Sequence, residues 1–438
     1  MGRPPEADEQ YRGTSIIPES SPHDGTLLVA KGGMKNTPPL TLLNARLIDG
    51  TGAPPRNVAA ITVENGRITA IHDTEANDTQ IRNPKSEIQN LEGRTLLPGL
   101  INAHMHITMD AGPDPIATTA RDGMARVVIK GASEAKRMLH AGITTARDLG
   151  GFEFVEMALR DAFASGEMPG PRLLCAGKCI TMTGGHGWQI GIEADGPDEV
   201  RKAARLNLRH GADCIKIMAT GGVLTPGVEP GSSQLGEEEM RAGIEEAHKV
   251  GKLTATHAQG TEGIKAALRA GIDTVEHGIF LDEEAIEMML KRGTIFVPTL
   301  AAPYQIVEAG EERGIPAYAL EKSRRVMAAH RKSFEWALSA GVTIAAGNDG
   351  GTPFNPSHDL VTELRLMVEY GMNPISAIRA ATHGSARALG LSEETGTIQP
   401  GKWADCLVLQ EGADPLQDIT ALSQVWMVIK QGEVVSSA

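Results

Sequence analysis

Residues 95–106 read TLLPGLINAHMH, an apolar run that ends in two histidines. His104 and His106 lie two positions apart, and because side chains alternate along a β-strand, both imidazoles would project from the same face. Ala103 and Met105 would face the opposite layer. The run therefore predicts a buried strand whose final residues present a pair of metal-capable groups.

Seven further apolar runs follow, and most of them are separated by stretches whose residue pattern is typical of amphipathic helices. They cover residues 142–148, 171–177, 214–220, 253–259, 274–279, 295–300 and 342–349. In one intervening stretch, DEVRKAARLNLRHG, Pro197 stands before the first turn and Gly211 just past the end, as helix start and stop signals require. Eight strands alternating with helices predict an α/β protein with a (β/α)8 TIM barrel. No GxGxxG or GxxxxGK[ST] motif follows a strand, so a dinucleotide or P-loop site has no support.

The two ends of the sequence differ from this middle because they contain short strands joined by turns. Asn65-Gly66 and Gln431-Gly432 are the expected turn positions of two hairpins. We predict one small β-sandwich made from residues 37–93 and 393–438, around a barrel of residues 94–392. Residues 1–36 mix Pro, Gly, Ser and charge without periodicity and are expected to form a disordered arm.

Composition limits the classes of partner. The net charge of −13 disfavours nucleic acid and anionic membranes, which require a basic surface, and 3% aromatic residues leave little to stack on bases. Neither a membrane-spanning run nor a signal pattern is visible, so we expect a cytoplasmic protein. The four cysteines contain no CxxC pair and are interpreted as reduced core residues. The expected partners are a small-molecule substrate and further copies of the chain in a homo-oligomer.

Metal-capable side chains recur at the ends of these runs, where a barrel opens onto its active site. Besides the first pair they are Lys216 in the fourth run and His257, His277 and Asp349 at the ends of the fifth, sixth and eighth. All have the parity that points inward, whereas Glu276, next to His277, should point the other way. The set predicts a metal site. Imidazole and carboxylate ligands favour Zn²⁺, and Mn²⁺, Co²⁺ or Fe²⁺ also accept them.

The motifs PGLINAHMH, CIKI, THA, VEHG and GNDGG together resemble the amidohydrolase superfamily. Within it the chain is similar to the imidazolonepropionase-like and prolidase-like branch, which includes dipeptidases and carboxypeptidases acting on Xaa-Pro or Xaa-Arg/Lys. TMTGGHG (181–187), GGTPFNP (350–356) and GTIQPGKWAD (396–405) fit the same branch. One departure is Asn348, where Thr or Ser is commoner, and it should face away from the metals.

The resemblance implies two divalent metal ions and assigns their ligands. His104, His106 and Asp349 would hold the more buried ion, His257 and His277 the second, and Lys216 would bridge them as a carbamate (a carboxylated lysine). Physical chemistry agrees on the lysine, because a protonated ammonium cannot be a ligand and would repel two dications. Burial favours the neutral amine, which can take up CO₂.

Such a site predicts metal-dependent hydrolysis of an amide (C–N) bond. Two cations lower the pKa of a shared water to near neutrality, and Asp349 would carry the proton from the attacking hydroxide to the leaving nitrogen. His186, in the Gly-rich loop after the third run, is a candidate catalytic group that would hydrogen-bond the scissile carbonyl or a substrate carboxylate. Tyr304 and His358, after the seventh and eighth runs, are further candidate substrate contacts.

The substrate stays open at this level because specificity lies in the barrel loops. Dipeptides or N-acyl amino acids of the Xaa-Pro or Xaa-Arg/Lys type are preferred on the resemblance. The same chemistry also suits a urea, carbamate, thiocarbamate, amide-linked toxin or cyclic amide. An alternative of another class is a metal-free barrel that acts as a binding or scaffold protein.

Overall fold

The computed structural model describes residues 38–73 and 85–437. The arm predicted at residues 1–36 lies outside the described residues. The strands are β1 (Leu40–Leu47), β2 (Arg56–Glu64), β3 (Arg67–Asp73), β4 (Glu87–Asn90), β5 (Thr95–Pro98), β6 (Leu100–Met105), β7 (Ile143–Asp148), β8 (Arg172–Cys175), β9 (Ile180–Thr181), β10 (Ile192–Glu193), β11 (Cys214–Met218), β12 (Leu253–Ala258), β13 (Thr274–His277), β14 (Ile295–Val297), β15 (Cys406–Leu409), β16 (Val425–Lys430) and β17 (Glu433–Ser437).

The helices alternate with β6 to β14 and continue beyond them. They are α1 (Pro115–His140), α2 (Val155–Ser165), α3 (Pro197–Arg209), α4 (Glu237–Lys249), α5 (Thr261–Ala270), α6 (Glu283–Arg292), α7 (Ala301–Ala309), α8 (Ala317–Ala340), α9 (Leu360–Glu369), α10 (Pro374–Arg379) and α11 (Ser385–Ala388). Within the described parts of the chain, no helix is long and apolar enough to cross a membrane.

Strands from both ends of the described chain form one sheet, here called the terminal sheet. Its order is β17-β16-β15-β5-β1-β2-β3, with β4 paired to β1. The two predicted hairpin turns are confirmed: Asn65 and Gly66 have φ of 51° and 74°, and Gln431 and Gly432 have φ of 51° and 78°. Positive φ at both central residues is what a type I′ turn requires. Whether this sheet folds as a sandwich stays a prediction.

The two turns lie against each other, and Ala404 joins them. Its N–H donates to Gly66 O at 2.9 Å, and its carbonyl accepts from Gly432 N at 3.1 Å. The apolar core of the terminal sheet is likewise shared, since Leu42 and Ile61 from one end pack in the same cluster as Val408 and Ile429 from the other. Neither end of the chain buries this core alone.

The central part of the chain contains two parallel sheets, β6-β7-β8 and β10-β9-β11-β12-β13-β14. The eighth predicted run has isolated β-bridges in place of a regular strand. It nevertheless makes backbone hydrogen bonds to a neighbouring strand on each side. Phe296 N donates to Thr343 O at 2.9 Å beside β14, and Asp349 N donates to His104 O at 2.9 Å beside β6. Parallel strands alternating with helices confirm the predicted α/β class.

The first predicted run is divided between the two sheets. Thr95–Pro98 pairs antiparallel with β15, and the chain then enters the parallel sheet at Leu100. Gly99 stands at the change, where an added Cβ would lie 2.2 Å from Thr144 Oγ1. The prediction of one strand over 95–106 was wrong here, because apolar character continues unbroken across Gly99 and gives no sign that the hydrogen-bonding partner changes.

Candidate metal centre

One cavity of about 80 Å³ opens at the carboxyl ends of the parallel strands. Its wall includes all six predicted ligands, which are His104, His106, Lys216, His257, His277 and Asp349. The histidines and Lys216 are buried, and the Asp349 side chain is 13% exposed. The structure thus brings together side chains from β6, β11, β12, β13 and the segment after Thr343.

Asp349 joins the two histidines at the carboxyl end of β6, His104 within the strand and His106 just after it. Its Oδ1 lies 3.3 Å from His104 Nε2 and 3.2 Å from His106 Nε2. Burial would raise the pKa of Asp349, but His104 and His106 outweigh it and lower that pKa to about 2. One ligand atom from each of His104, His277 and Asp349 falls within 4.8 Å of the others, so these three groups form a compact cluster of atoms that could hold a metal ion.

The ring nitrogen that does not face the cavity is anchored in every histidine of the set. The contacts are His104 Nδ1 to Glu276 Oε2 (2.9 Å), His106 Nδ1 to Gly150 O (3.0 Å), His277 Nδ1 to Thr299 Oγ1 (2.7 Å) and His257 Nε2 to Gly221 O (3.1 Å). Partners of this kind orient the rings of metal-binding histidines and fix their tautomers. Three rings therefore keep Nε2 for a metal, and His257 keeps Nδ1.

Burial also controls the charge of these groups. Desolvation lowers the pKa of His104, His257 and His277 well below the ordinary histidine value, which leaves them neutral and able to act as ligands. Burial likewise lowers the pKa of Lys216, in favour of the neutral amine. His106 is the exception, because the contact with Asp349 outweighs burial and raises its pKa. Imidazoles, one carboxylate and one amine that can be carboxylated are a donor set that fits divalent cations.

Two of the predicted ligands have a left-handed backbone. His277 has φ of 71° and Asp349 of 56°, and Thr299, which contacts His277, has φ of 55°. Non-glycine residues in this region carry strain that concentrates at functional sites. The same turn of the backbone corrects the expectation for Glu276. Strict alternation predicted that the Glu276 side chain points away from the site, but it contacts His104 on the side away from the cavity. The positive φ of His277 lets the His277 ring line the cavity.

The other predicted contacts fall into two groups. His186 lines the cavity, with its ring 4.2 Å from that of His257 and its Nδ1 2.9 Å from Thr225 Oγ1, and burial lowers its pKa to about 3. Tyr304 and His358 are not among the lining residues. The preceding residues of α7 line the cavity, but the Tyr304 ring turns outward beneath the Arg365 guanidinium, 5.1 Å away.

Two other side chains are explained by contacts outside the cavity. His358 Nδ1 lies 2.8 Å from Glu134 Oε1 on α1, which accounts for its distance from the site. Asn348 turns away from the cavity as expected and bonds to Asn102 and Asn355.

Sequence reasoning missed His330, a buried residue of α8 that lines the cavity. Its Nε2 lies 2.7 Å from Pro298 O, so the helix is tied to the segment after β14. A search restricted to strand ends cannot find a histidine in a helix. The only signal in the sequence is a histidine within the apolar stripe of an amphipathic helix.

The outer wall of the cavity is apolar and comes from two separate clusters. Met109, Ile190 and Met218 belong to one, whereas Val223, Ile279 and Ile306 belong to the other. Among the described lining residues, Asp349 is the only acid and Lys216 the only lysine or arginine. The cavity therefore combines the polar cluster of candidate ligands with an apolar wall that carries little fixed charge.

Comparison with known proteins agrees with this geometry. A model described as "Amidohydrolase family" matches residues 95–435. Ochratoxinase from Aspergillus niger is 32% identical over 422 residues, which cover 87% of this chain and 84% of the relative. An imidazolonepropionase from Geobacillus sp. is 24% identical over 427 residues, covering 86% and 89%. The crystal structure of a Xaa-Pro dipeptidase with bound methionine in the active site has a TM-score of 0.81 and 31% identity, covering 91% of this chain and 100% of that one.

Proposed function

Because this chain belongs to the amidohydrolase family, whose members hydrolyse carbon–nitrogen bonds, we propose that it is a binuclear metal-dependent hydrolase of amides whose groups near the scissile bond are apolar. The observation that carries the proposal is the convergence of all six ligand-type residues on one cavity. In each histidine among them, one ring nitrogen is held by a group outside this ligand set, which leaves the other nitrogen for a metal. A metal-free scaffold barrel would not require that arrangement.

We interpret the two parallel sheets and residues 343–350 together as a (β/α)8 barrel. The bonds that residues 343–350 make to both β14 and β6 support this interpretation. On the other side, Asp213 N, next to β11, donates to Cys175 O of β8 at 2.7 Å. The terminal sheet would then form the smaller second domain.

The assignment of ligands to the two ions follows the family resemblance. His104, His106 and Asp349 would hold one divalent cation, and His257 and His277 a second, with carboxylated Lys216 between them. When bound, two such cations supply an activated water and polarise the scissile carbonyl. Zn²⁺ suits these ligands best, and Mn²⁺, Co²⁺ or Fe²⁺ are the alternatives.

The protein groups supply the proton transfers and the orientation of the substrate. Asp349 is the only carboxylate that lines the described cavity, so it would take the proton of the attacking water and pass it to the leaving nitrogen. His186, held at Nδ1 by Thr225, would present its other nitrogen to the substrate carbonyl. Because burial keeps His186 neutral, it would act as a hydrogen-bond donor without adding charge.

The apolar mouth narrows the choice of substrate. A basic side chain would need an acid beyond Asp349, so we propose Xaa-Pro-like dipeptides or N-acyl derivatives of apolar amino acids over Xaa-Arg/Lys. The relationship to ochratoxinase favours an amide-linked toxin as the second candidate. A urea, carbamate, thiocarbamate or cyclic amide would use the same machinery.

A substrate panel tests the proposal. Metal-loaded protein is assayed with Xaa-Pro dipeptides, N-acyl apolar amino acids, Xaa-Arg dipeptides and aryl ureas, and release of the amine is measured. We expect kcat/KM for the apolar amides to exceed that for Xaa-Arg by at least about tenfold, the effect of a small difference in binding energy. Hydrolysis of Xaa-Arg at an equal or higher rate would refute the apolar assignment. Inactivity of the metal-loaded protein on every amide would refute the function.

A further inference from the structure

A chain of buried polar contacts runs behind His104, on the side away from the cavity. His104 Nδ1 lies 2.9 Å from Glu276 Oε2, and Arg147 Nη2 donates to Glu276 Oε1 at 2.9 Å. Thr274 Oγ1 donates to the same Oε1 at 2.5 Å. Arg147 and Glu276 are 1% and 0% exposed, so this ion pair has lost nearly all contact with water.

Arg147 also holds the strand that carries His104. Its Nε donates to the carbonyl of Ala103, the residue before His104, at 2.8 Å. One guanidinium therefore fixes both the backbone next to the histidine and the carboxylate that contacts its ring.

Such a pair needs an explanation beyond stability. Two charges removed from water pay a large desolvation penalty, and apolar residues of similar volume often stabilise a core equally well. The carboxylate, however, has a third partner that an apolar pair could not serve, which is the Nδ1 of His104.

We propose that Glu276 and Arg147 are positioning residues that hold His104 with its proton on Nδ1 and its Nε2 turned to the cavity. Only a carboxylate can accept from His104 and Arg147 at once, because each of its two oxygens faces a donor. Arg147, which donates to Oε1, holds the carboxylate in the orientation that turns Oε2 to His104. The geometry stands on these contacts, whereas its consequence for metal binding rests on the proposed function.

The decisive variant is Glu276→Gln. Its amide has one acceptor oxygen, which the cationic Arg147 attracts more strongly, so the NH₂ group is left facing His104 Nδ1–H. Two donors then oppose each other in a dry site. We expect one metal to bind about 10- to 100-fold more weakly. Losing a residue that orients a metal ligand usually has an effect of about this size. Dissociation constants are measured by chelator competition with Co²⁺, whose visible absorption also reports the coordination.

A double variant separates positioning from simple structural support. In Arg147→Met/Glu276→Gln the competing cation is gone, so the glutamine oxygen can turn to His104. The double variant should therefore bind Co²⁺ more tightly than Glu276→Gln alone. If Arg147→Met/Glu276→Gln does not fold, Arg147→Gln/Glu276→Gln replaces it, since a neutral amide competes less for the oxygen.

An ion pair on the outer helices, in which Arg205 is largely exposed, serves as the control. Arg205 and Glu246 are joined at 2.8 Å between α3 and α4, away from the cavity. Glu246→Gln and Arg205→Met/Glu246→Gln should leave both Co²⁺ constants unchanged. A double variant at 147 and 276 that binds Co²⁺ as weakly as Glu276→Gln, or more weakly, overturns the proposal. Parent protein that binds Co²⁺ tightly but hydrolyses no amide would refute the proposed function and leave the positioning intact.

Discussion

The terminal sheet and the metal centre both place non-glycine residues at positive φ, but for different reasons. In the terminal sheet, Asn65 and Gln431 occupy tight hairpin turns, where each is followed by glycine. In the metal centre, His277, Thr299 and Asp349 take the same backbone region at strand ends. A turn needs positive φ for the chain to reverse, so many sequences can supply it. At the candidate metal centre the left-handed residues line the cavity or contact a residue that does, and backbone strain of this kind concentrates at functional sites.

The largest expected effect is at Lys216, the proposed bridge between the two cations. Lys216→Ala should lose most of the bound metal and nearly all hydrolysis, because the proposed bridge between the cations is removed. Elemental analysis and turnover are measured on one preparation, and chelation of the parent protein should have the same effect. Small carboxylates with bicarbonate should partly restore both quantities. A Lys216→Ala protein with full metal and rate would show that the bridge assignment is wrong.

The next effect separates metal binding from proton transfer at Asp349. Asp349→Asn can still offer an oxygen to the metal but cannot carry the proton, so the rate should fall by at least about 10²-fold. Metal content should stay within about twofold of the parent on the same reasoning. If Asp349 were only a ligand, metal and activity would fall together and added metal would rescue them. Near-parental turnover in a metal-replete variant would rule out the proton shuttle.

Substitution of Thr299 should lower metal affinity less, because Thr299 contacts the candidate ligand His277 through the ring nitrogen that faces away from the cavity. Thr299→Ala removes the hydroxyl that lies 2.7 Å from His277 Nδ1. One metal should then bind about 10- to 100-fold more weakly. Thr299→Ser, which keeps the hydroxyl, is the matched control and should bind like the parent. Equal metal affinity in Thr299→Ala and the parent would show that the backbone alone orients His277.

The smallest effect on catalysis belongs to the terminal sheet. Gly66→Ala adds a Cβ 2.6 Å from Gln431 O at φ +74°, so the free energy of unfolding should fall by about 1–3 kcal/mol. Gly93→Ala has a similar φ of +82° with no atom within 4 Å, so it measures the backbone cost alone. Chemical denaturation measures both variants, and kcat should not change in either. A lowered kcat in Gly66→Ala would show that the terminal sheet influences the metal centre.

Local patterns predicted what depends on near neighbours. The two turns and the inward parity of His104, His106 and Lys216 follow from side-chain alternation and turn chemistry, and the structure shows both turns and gathers these side chains at one cavity. The assignment of particular ligands to each of the two metal ions came from the family resemblance. The alternation of side chains along a strand cannot predict it.

What was missed depends on contacts between distant residues. The left-handed φ of His277 breaks alternation, so Glu276 could not be placed behind His104 from the sequence. Tyr304 follows the seventh run as predicted, but its side chain lies on the face of α7 that contacts Arg365 and does not line the cavity. The bond of His330 to Pro298 depends on how α8 packs, and no spacing rule describes it.

The pairing of β5 with β15 sets an order of events during synthesis. Leu97 faces Leu407 across the terminal sheet, although almost the whole parallel-stranded region lies between them in sequence. A ribosome adds about 5–20 residues per second, so roughly 15 to 60 s pass before the partner of β5 exists. During that interval the β5 edge is an open template for other chains. A chain truncated before Cys406 would therefore contain all six candidate metal ligands but leave the β5 edge of the terminal sheet unpaired, and chaperones and proteases recognise exposed edges of this kind.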